Sequence, residues 1–280
     1  MVSVPTKILP RGILDSIKKT RPVYALGRRV RFALGSGLGA RPVPGLSSRA
    51  HFNDFMLSST SPEHVKSYRD GARAFVDILE RSLAEAGRDW NSIRTCLEVG
   101  CGYGRIVREL RDRLPASRIF VTDVIEEGAR FTAAELGATR IPLIEQAAES
   151  MRDRFDMTYL LSVYTHLRRD LVETNLEAVA TALKPGGVLI FTAHGWHSAE
   201  TAERYEQYWL DKRAVLDGLA RDGYYYERYP YYYDEYGLTW FTQPAMIDLV
   251  ARVAPDLEFV AHHEAAVDAH QDLFVFRKRG

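Results

Sequence analysis

Residues 97–104 read Leu97-Glu98-Val99-Gly100-Cys101-Gly102-Tyr103-Gly104, three glycines at alternate positions behind a carboxylate. Glycines so spaced let the backbone turn tightly and approach a ligand with no Cβ in the way. Asp123 follows Gly104 by nineteen residues and ends an apolar run. A carboxylate there can accept hydrogen bonds from both hydroxyls of a ribose. A dinucleotide loop of the form G-x-G-x-x-G would need glycine or alanine where this chain has Arg105. Glu98 would also repel a pyrophosphate. The pattern points to a ligand with a ribose and a free amino group but no phosphate.

The residues suited to move a proton are histidines, whose unperturbed pKa lies near neutrality. Five of the eight fall where strands are expected to end: His166, His194, His197, His262 and His263. Tyr164 stands beside His166. Each also has a purely structural reading, His166 as the anchor of its loop. The tyrosine-dense stretch 224–236 is expected to line an acceptor pocket, or to pack a lid or a dimer contact.

These groups need a scaffold that brings them together, and the chain alternates accordingly. Strands are expected at 95–99, 118–123, 140–144, 155–162 and 188–193. Helices are expected at 105–114, 126–136 (stopped by Gly137) and 170–183. Lys184-Pro185-Gly186-Gly187 is read as a turn. Such alternation implies βαβ crossovers and a parallel sheet, with ligands beyond the carboxyl ends of the strands. Ser61-Pro62-Glu63 opens a helix that precedes this core. Residues 199–222 and 244–253 read as helices, and 257–260 and 273–276 as two last strands. The expected fold is α/β, a doubly wound, mostly parallel seven-stranded sheet. N-terminal helices precede it, and a helical, tyrosine-rich insertion interrupts its C-terminal part. The domains expected are a leader at 1–50, cap helices at 51–90, and a main domain at 91–280 containing the insertion at 196–243.

Composition bounds the function. No apolar run approaches the roughly 20 residues of a membrane span, and charged residues interrupt the N-terminus before any signal-peptide core. The two cysteines, Cys96 and Cys101, form neither a disulfide framework nor a metal-ligand set, so no metal is expected. A cytoplasmic location fits. The charge is zero overall but uneven. Residues 1–49 hold ten basic side chains against Asp15, so the remainder carries −9 against +9. This stretch reads as a solvated, partly disordered leader with a linker at 36–49. The alternative is a tail that docks on a membrane surface or another anionic partner. No lysine–aromatic interleaving marks a nucleic-acid channel.

Leu97–Gly104 resembles motif I of the class I S-adenosylmethionine-dependent methyltransferases. Asp123 is similar to their ribose-binding acid, and Leu183-Lys184-Pro185-Gly186-Gly187 to the turn before their fifth strand. Arg154-Phe155-Asp156 and Ser162-Val163-Tyr164-Thr165-His166-Leu167 are similar to the segments around their fourth. The resemblance covers about residues 91–195. It implies S-adenosylmethionine as cofactor, with Gly100, Cys101, Gly102 and Gly104 under its aminocarboxypropyl arm. Glu98 lies near its amino group, Asp123 on the ribose and Val124 against the adenine. Gln146 is assigned to the adenine edge, where the alignment departs from the family, and Ser162 to the cofactor side of the fourth strand. Tyr68 is a candidate to close the pocket, or a core tyrosine. The implied activity is in-line methyl transfer to a hydroxyl of a small molecule or glycan, with His194, His166 and Tyr164 as catalytic candidates. Three other readings compete: a catalytically silent scaffold docked through the basic leader, an aminopropyltransferase, and a nicotinamide-dependent oxidoreductase. The first ranks next.

Overall fold

The structure is a computed structural model that describes residues 40–54, 56–57, 59–202, 210–229 and 236–280. Most of the basic leader lies outside these residues. So do Tyr205, Tyr208 and Trp209 and the tyrosines of 231–233.

The sheet begins with β1 (Cys96–Val99), β2 (Ile119–Thr122), β3 (Thr139–Arg140), β4 (Phe155–Leu160) and β5 (Leu183–His194). These five pair in parallel in the order β3-β2-β1-β4-β5. Their order reverses between β1 and β4, so the crevice of a doubly wound sheet lies at the carboxyl ends of those two strands. Residues of β1 and β4 are buried without exception, as expected of strands covered on both faces. Alternate side chains feed two cores. Cys96, Met157 and Tyr159 pack with α1 (Pro62–Glu85), α2 (Arg105–Leu110) and α3 (Glu126–Leu136). Leu97 and Leu160 face α4 (Ile144–Ala147), α5 (Arg169–Ala182) and α8 (Gln243–Val253).

α1 starts as its sequence dictates. Ser61 accepts from the His64 amide, Pro62 occupies the first turn, and Val65, Tyr68, Ala72, Phe75, Val76 and Leu79 form the buried stripe. Tyr68 is buried with Val43, Ala50, Leu57 and Val65, and its hydroxyl donates to Asp54 at 2.8 Å. Residues 40–50, expected to be linker, form a loop closed by paired hydrogen bonds between Arg41 and Ala50 and tied to α2 through Arg108.

Four element boundaries differ from expectation. The Lys184–Gly187 turn is a bulge inside β5, because Phe155 pairs with Leu183 and Met157 with Val188. The third strand is two residues long, and Gln146 lies on the short helix that follows. Among the described residues of the helix expected over 199–222 stand α6 (Trp196–Glu200), which ends before Thr201, and α7 (Lys212–Asp222). The first tyrosines of the dense stretch form β6 (Tyr224–Arg228), an antiparallel hairpin with β7 (Gly237–Phe241).

That hairpin and the last two strands extend the sheet to nine strands. β9 (Gln271–Lys278) runs antiparallel to β5, and β8 (Leu257–Val267) pairs with β9. β7 joins β5 only at its tip, where His194 faces Trp240. Beyond that point it bonds to the loop after β4, Gly237 N donating to His166 O and Thr239 N to Thr165 O. The insertion therefore roofs the carboxyl edge of β4 and β5. Its own small core is built on Trp240, Leu238, Val215 and Leu219.

Candidate active site

The glycine loop leaves β1 and enters α2. Gly100, Gly102 and Gly104 have φ of +81°, +50° and +79°, a region in which side chains with a Cβ are disfavoured. Gly102 is the bare point, since a Cβ built there would meet nothing within 4 Å. The loop is held from below. Thr132 Oγ1 donates to Gly102 O at 3.1 Å, and a Cβ on Gly128 would stand 2.6 Å from the same oxygen. α3 thus packs its small face directly under the loop. Cys101 is buried below it, its Sγ 3.6 Å from Gly102 O.

Asp123 closes the next strand over. One of its oxygens accepts from Gly102 N at 2.6 Å and the other from Ile125 N at 2.7 Å. A carboxylate offers about four acceptor positions, so two remain for a ligand. Burial pushes this carboxyl up, and the two amides act against that. Next to it Val124 and Ile125 expose 75% and 40% of their surface, an apolar shelf of the kind a flat heterocycle covers. Gln146 is exposed. Glu98 is buried beneath the loop, and Tyr159 donates to it at 2.9 Å. Burial pushes its carboxyl up to about 8, with Tyr159 acting against the rise and Asp123 adding to it.

These features fit S-adenosylmethionine. The bare Gly102 backbone can lie under the aminocarboxypropyl arm, Asp123 has acceptors to spare for a ribose, and the shelf suits an adenine. Glu98 supplies a carboxyl on the side where an ammonium would sit.

A cavity of about 180 Å³ adjoins this crevice, lined by Ser162, His166, His194, Tyr229, Leu238, Asp268, His270 and Gln271. The loop after β4 borders both sites, because a Cβ on Gly100 would meet Val163 Cγ2 at 2.5 Å. Ser162 has φ +59° and its hydroxyl accepts from Gln271 Nε2 at 3.1 Å. His166 Nδ1 lies 2.9 Å from Gly237 O, and His194 Nδ1 lies 3.2 Å from Thr239 O. A carbonyl can only accept, so both bonds place the proton on Nδ1 and leave Nε2 as the basic nitrogen. Burial holds His166 below its usual range, with the Gly237 contact acting against that. Tyr236 stacks on His166 at 5.0 Å, and burial together with Asp123 pushes its phenol up to about 12.

The structure brings His166 and His194 together, with ring centroids 6.5 Å apart, and sets four other candidates away from the cavity. Tyr164 points into the core under α5, fully buried, and donates to Asn175 at 2.9 Å. His262 and His263 lie inside β8 rather than after it, paired with Phe274 and Leu273. Their ring nitrogens contact Asp272 and Glu85 instead of the cavity. His197 sits on α6 and does not line the cavity. Sequence reasoning missed Asp268, His270 and Gln271. The signal was available in the antiparallel return of β9, which brings its first residue beside the last residue of β5.

The comparisons agree with this geometry. A family model described as a methyltransferase domain matches residues 97–189. No curated protein gives a significant match. Among solved structures, a protein from Pyrococcus horikoshii superposes with a TM-score of 0.54 at 14% identity, covering 76% of this chain and 92% of its own. A Listeria monocytogenes protein described as an S-adenosylmethionine dependent methyltransferase gives 0.51 at 14% identity, with 76% and 99% covered. At these identities the two structures establish the fold.

Proposed function

We propose, from the match of residues 97–189 to a methyltransferase-domain model, that the chain is a class I S-adenosylmethionine-dependent methyltransferase that methylates a hydroxyl of a small molecule or glycan. The cofactor supplies an electrophilic methyl on a sulfonium; the O–CH₃ bond forms as the S–CH₃ bond breaks, and the sulfur keeps the electron pair. The protein's part is to align the partners and exclude water. Asp123 and the glycine loop hold the donor side. The acceptor occupies the cavity roofed by the β6–β7 hairpin.

The observation that carries the reading is the pair of Nδ1–carbonyl contacts from His166 to Gly237 and from His194 to Thr239. Both put a proton on Nδ1, so that in the neutral ring Nε2 is the basic nitrogen. A hydroxyl needs such a base to release its proton as the methyl arrives. His166 is the proposed base, and the hydroxyl proton goes to its Nε2. His194, more deeply buried, orients the acceptor. The docked-scaffold alternative depends on the basic leader, which lies mostly outside the described residues.

Thermal unfolding with S-adenosylmethionine, S-adenosylhomocysteine and NAD, alongside Asp123→Ala, tests the donor half. The first two ligands raise the midpoint in the parent and not in the variant. Transfer of a labelled methyl to sugars and phenols but not to amines tests the acceptor half. No midpoint shift with either sulfur ligand overturns the proposal.

A further inference from the structure

The turn from β8 to β9 is tighter than its residues favour. His270 N donates to Val267 O at 3.0 Å and Val267 pairs with Gln271, so Asp268, Ala269 and His270 make the reversal. Asp268 and Ala269 have positive φ, +54° and +49°. Two successive turn residues at positive φ are normally Asn-Gly or Asp-Gly, because a Cβ is disfavoured in the left-handed region, and here Ala269 stands where glycine would. Strained backbone persists where surrounding structure over-determines it, and such outliers cluster at functional sites. Here the place is fixed by register. Gln271 pairs with His194, which sets the turn at the carboxyl edge of β5, where Asp268, His270 and Gln271 reach the cavity.

Two of these three side chains have protein partners. Gln271 Oε1 accepts from Thr192 at 2.6 Å and its Nε2 donates to Ser162. His270 Nε2 lies 3.3 Å from Ser198 Oγ. Asp268 is exposed at the rim and makes no side-chain hydrogen bond or ion pair with any described residue. Asp272, four residues on, differs in accepting from Ala265 N and meeting His262. Asp268 is thus an exposed carboxylate lining the cavity on a costly backbone, with no described side chain or amide using its acceptor positions.

We propose that Asp268 selects the acceptor, receiving hydrogen bonds from neighbouring hydroxyls of a polyol ring while another hydroxyl of that ring faces His166. This rests on the methyl-transfer reading above. A phenol or simple alcohol has one hydroxyl, which the reacting end consumes. Asp268 would then lose water without gaining a partner, and a site built to bond a hydroxyl rejects the analogue lacking it. An anionic acceptor would be repelled by the same carboxylate. Tyr229 and Leu238 offer ring-sized apolar contact. The cavity is well below the roughly 300–1,000 Å³ of pockets for drug-sized ligands, which suits a single ring.

The test uses the full chain saturated with S-adenosylhomocysteine and saturation-transfer NMR. The probes are methyl glucoside, methyl mannoside, myo-inositol, phenol, cyclohexanol and putrescine. At least one polyol is expected to bind the parent, with phenol and cyclohexanol not binding. Asp268→Asn is expected to weaken the bound polyol by about tenfold or more, the scale of losing a charge-assisted hydrogen bond. Ala269→Gly, which relaxes the turn, is expected to weaken it less. The proposal fails if no polyol binds, if cyclohexanol or putrescine binds as well as the polyols, or if Asp268→Asn binds them unchanged. The midpoint shift with S-adenosylhomocysteine separates the two levels. If it persists in parent and variant while polyols fail, only the role of Asp268 falls; if the parent lacks it, both readings fall.

Discussion

The backbone carbonyl of Gly237 lies 2.9 Å from Nδ1 of His166, across 71 residues of sequence. Two residues along the same strand, Thr239 O faces Nδ1 of His194. Alternate residues of a strand present their groups to the same side, so β7 sets the tautomer of both histidines at once. The insertion is therefore a working part of the site.

His166→Gln keeps a polar side chain but removes the basic nitrogen. Its kcat is expected to fall by about 10²–10⁴-fold, the usual contribution of a positioned base. Affinity for S-adenosylhomocysteine should stay within twofold, roughly the effect of a site that does not touch the cofactor. Single-turnover methyl transfer with calorimetry on the same preparations measures both. A variant with parental kcat would remove His166 from the chemistry.

The pH profile follows from the burial of His166. A base whose pKa is depressed stays deprotonated to lower pH, so kcat should plateau through neutrality and decline only below the ordinary histidine value of 6.5. The same shift has a stability counterpart. Between its unfolded value and its lower folded value the unfolded chain binds the extra proton, so this group's contribution is intact above 6.5 and is lost as pH falls. Urea midpoints from pH 7.5 to 5 should decline more steeply in the parent than in His166→Gln.

The donor half of this site was legible in the sequence because it is local. One strand, one loop and one helix carry Glu98 and the three glycines, and the next strand delivers Asp123 at its end. No long-range information is needed to bring them together. The acceptor half is assembled from distant segments, Ser162 and His166, His194, Tyr229 and Leu238, and Asp268, His270 and Gln271. Nothing in the polar run His262-His263-Glu264 signals strand, since an edge strand with an exposed face tolerates polar residues. The reading of His262 and His263 failed there, and the turn that does reach the cavity was overlooked. Tyr164 was misplaced for another reason. Its neighbour His166 lies two residues on, but Ser162 turns the chain at φ +59°, so strand alternation no longer decides which side chain faces up.

Asp123→Asn should leave the fold intact, because its amide oxygen can still accept from Gly102 or Ile125. Lost charge-assisted bonds to the ribose cost about 1.5–3 kcal/mol, roughly a 10–100-fold weaker cofactor. Calorimetry with S-adenosylhomocysteine reads this directly. Equal affinity would move the ribose away from Asp123.

Glu98 makes the ligand-free protein sensitive to rising pH. Burial pushes its carboxyl from an ordinary 4.5 to about 8 in the folded chain. A raised folded value means that its contribution is fully present below 4.5 and is lost as pH rises through 8. Glu98→Gln should flatten the loss of stability between about pH 5 and 8, an effect on the order of a few kcal/mol. S-adenosylhomocysteine, by placing an ammonium beside the ionised carboxylate, should flatten it in the parent. Thermal midpoints across that range, with and without ligand, check both. A parental slope in the variant would show that Glu98 does not control it.

Tyr164→Phe distinguishes a structural tyrosine from a catalytic one. The hydroxyl is fully buried and donates to Asn175, whose Nδ2 in turn donates to Glu145 at 2.6 Å. Removing it leaves the Asn175 oxygen without its donor, at a cost of about 1–3 kcal/mol. The ring itself remains against Phe191, 5.0 Å between centroids, so no cavity opens. The expected result is a lower urea midpoint with kcat and acceptor KM unchanged at temperatures where the variant is folded. A fall in kcat without a fall in stability would return Tyr164 to the active site, and with it the assumption that the chain after β4 keeps the alternation of a strand.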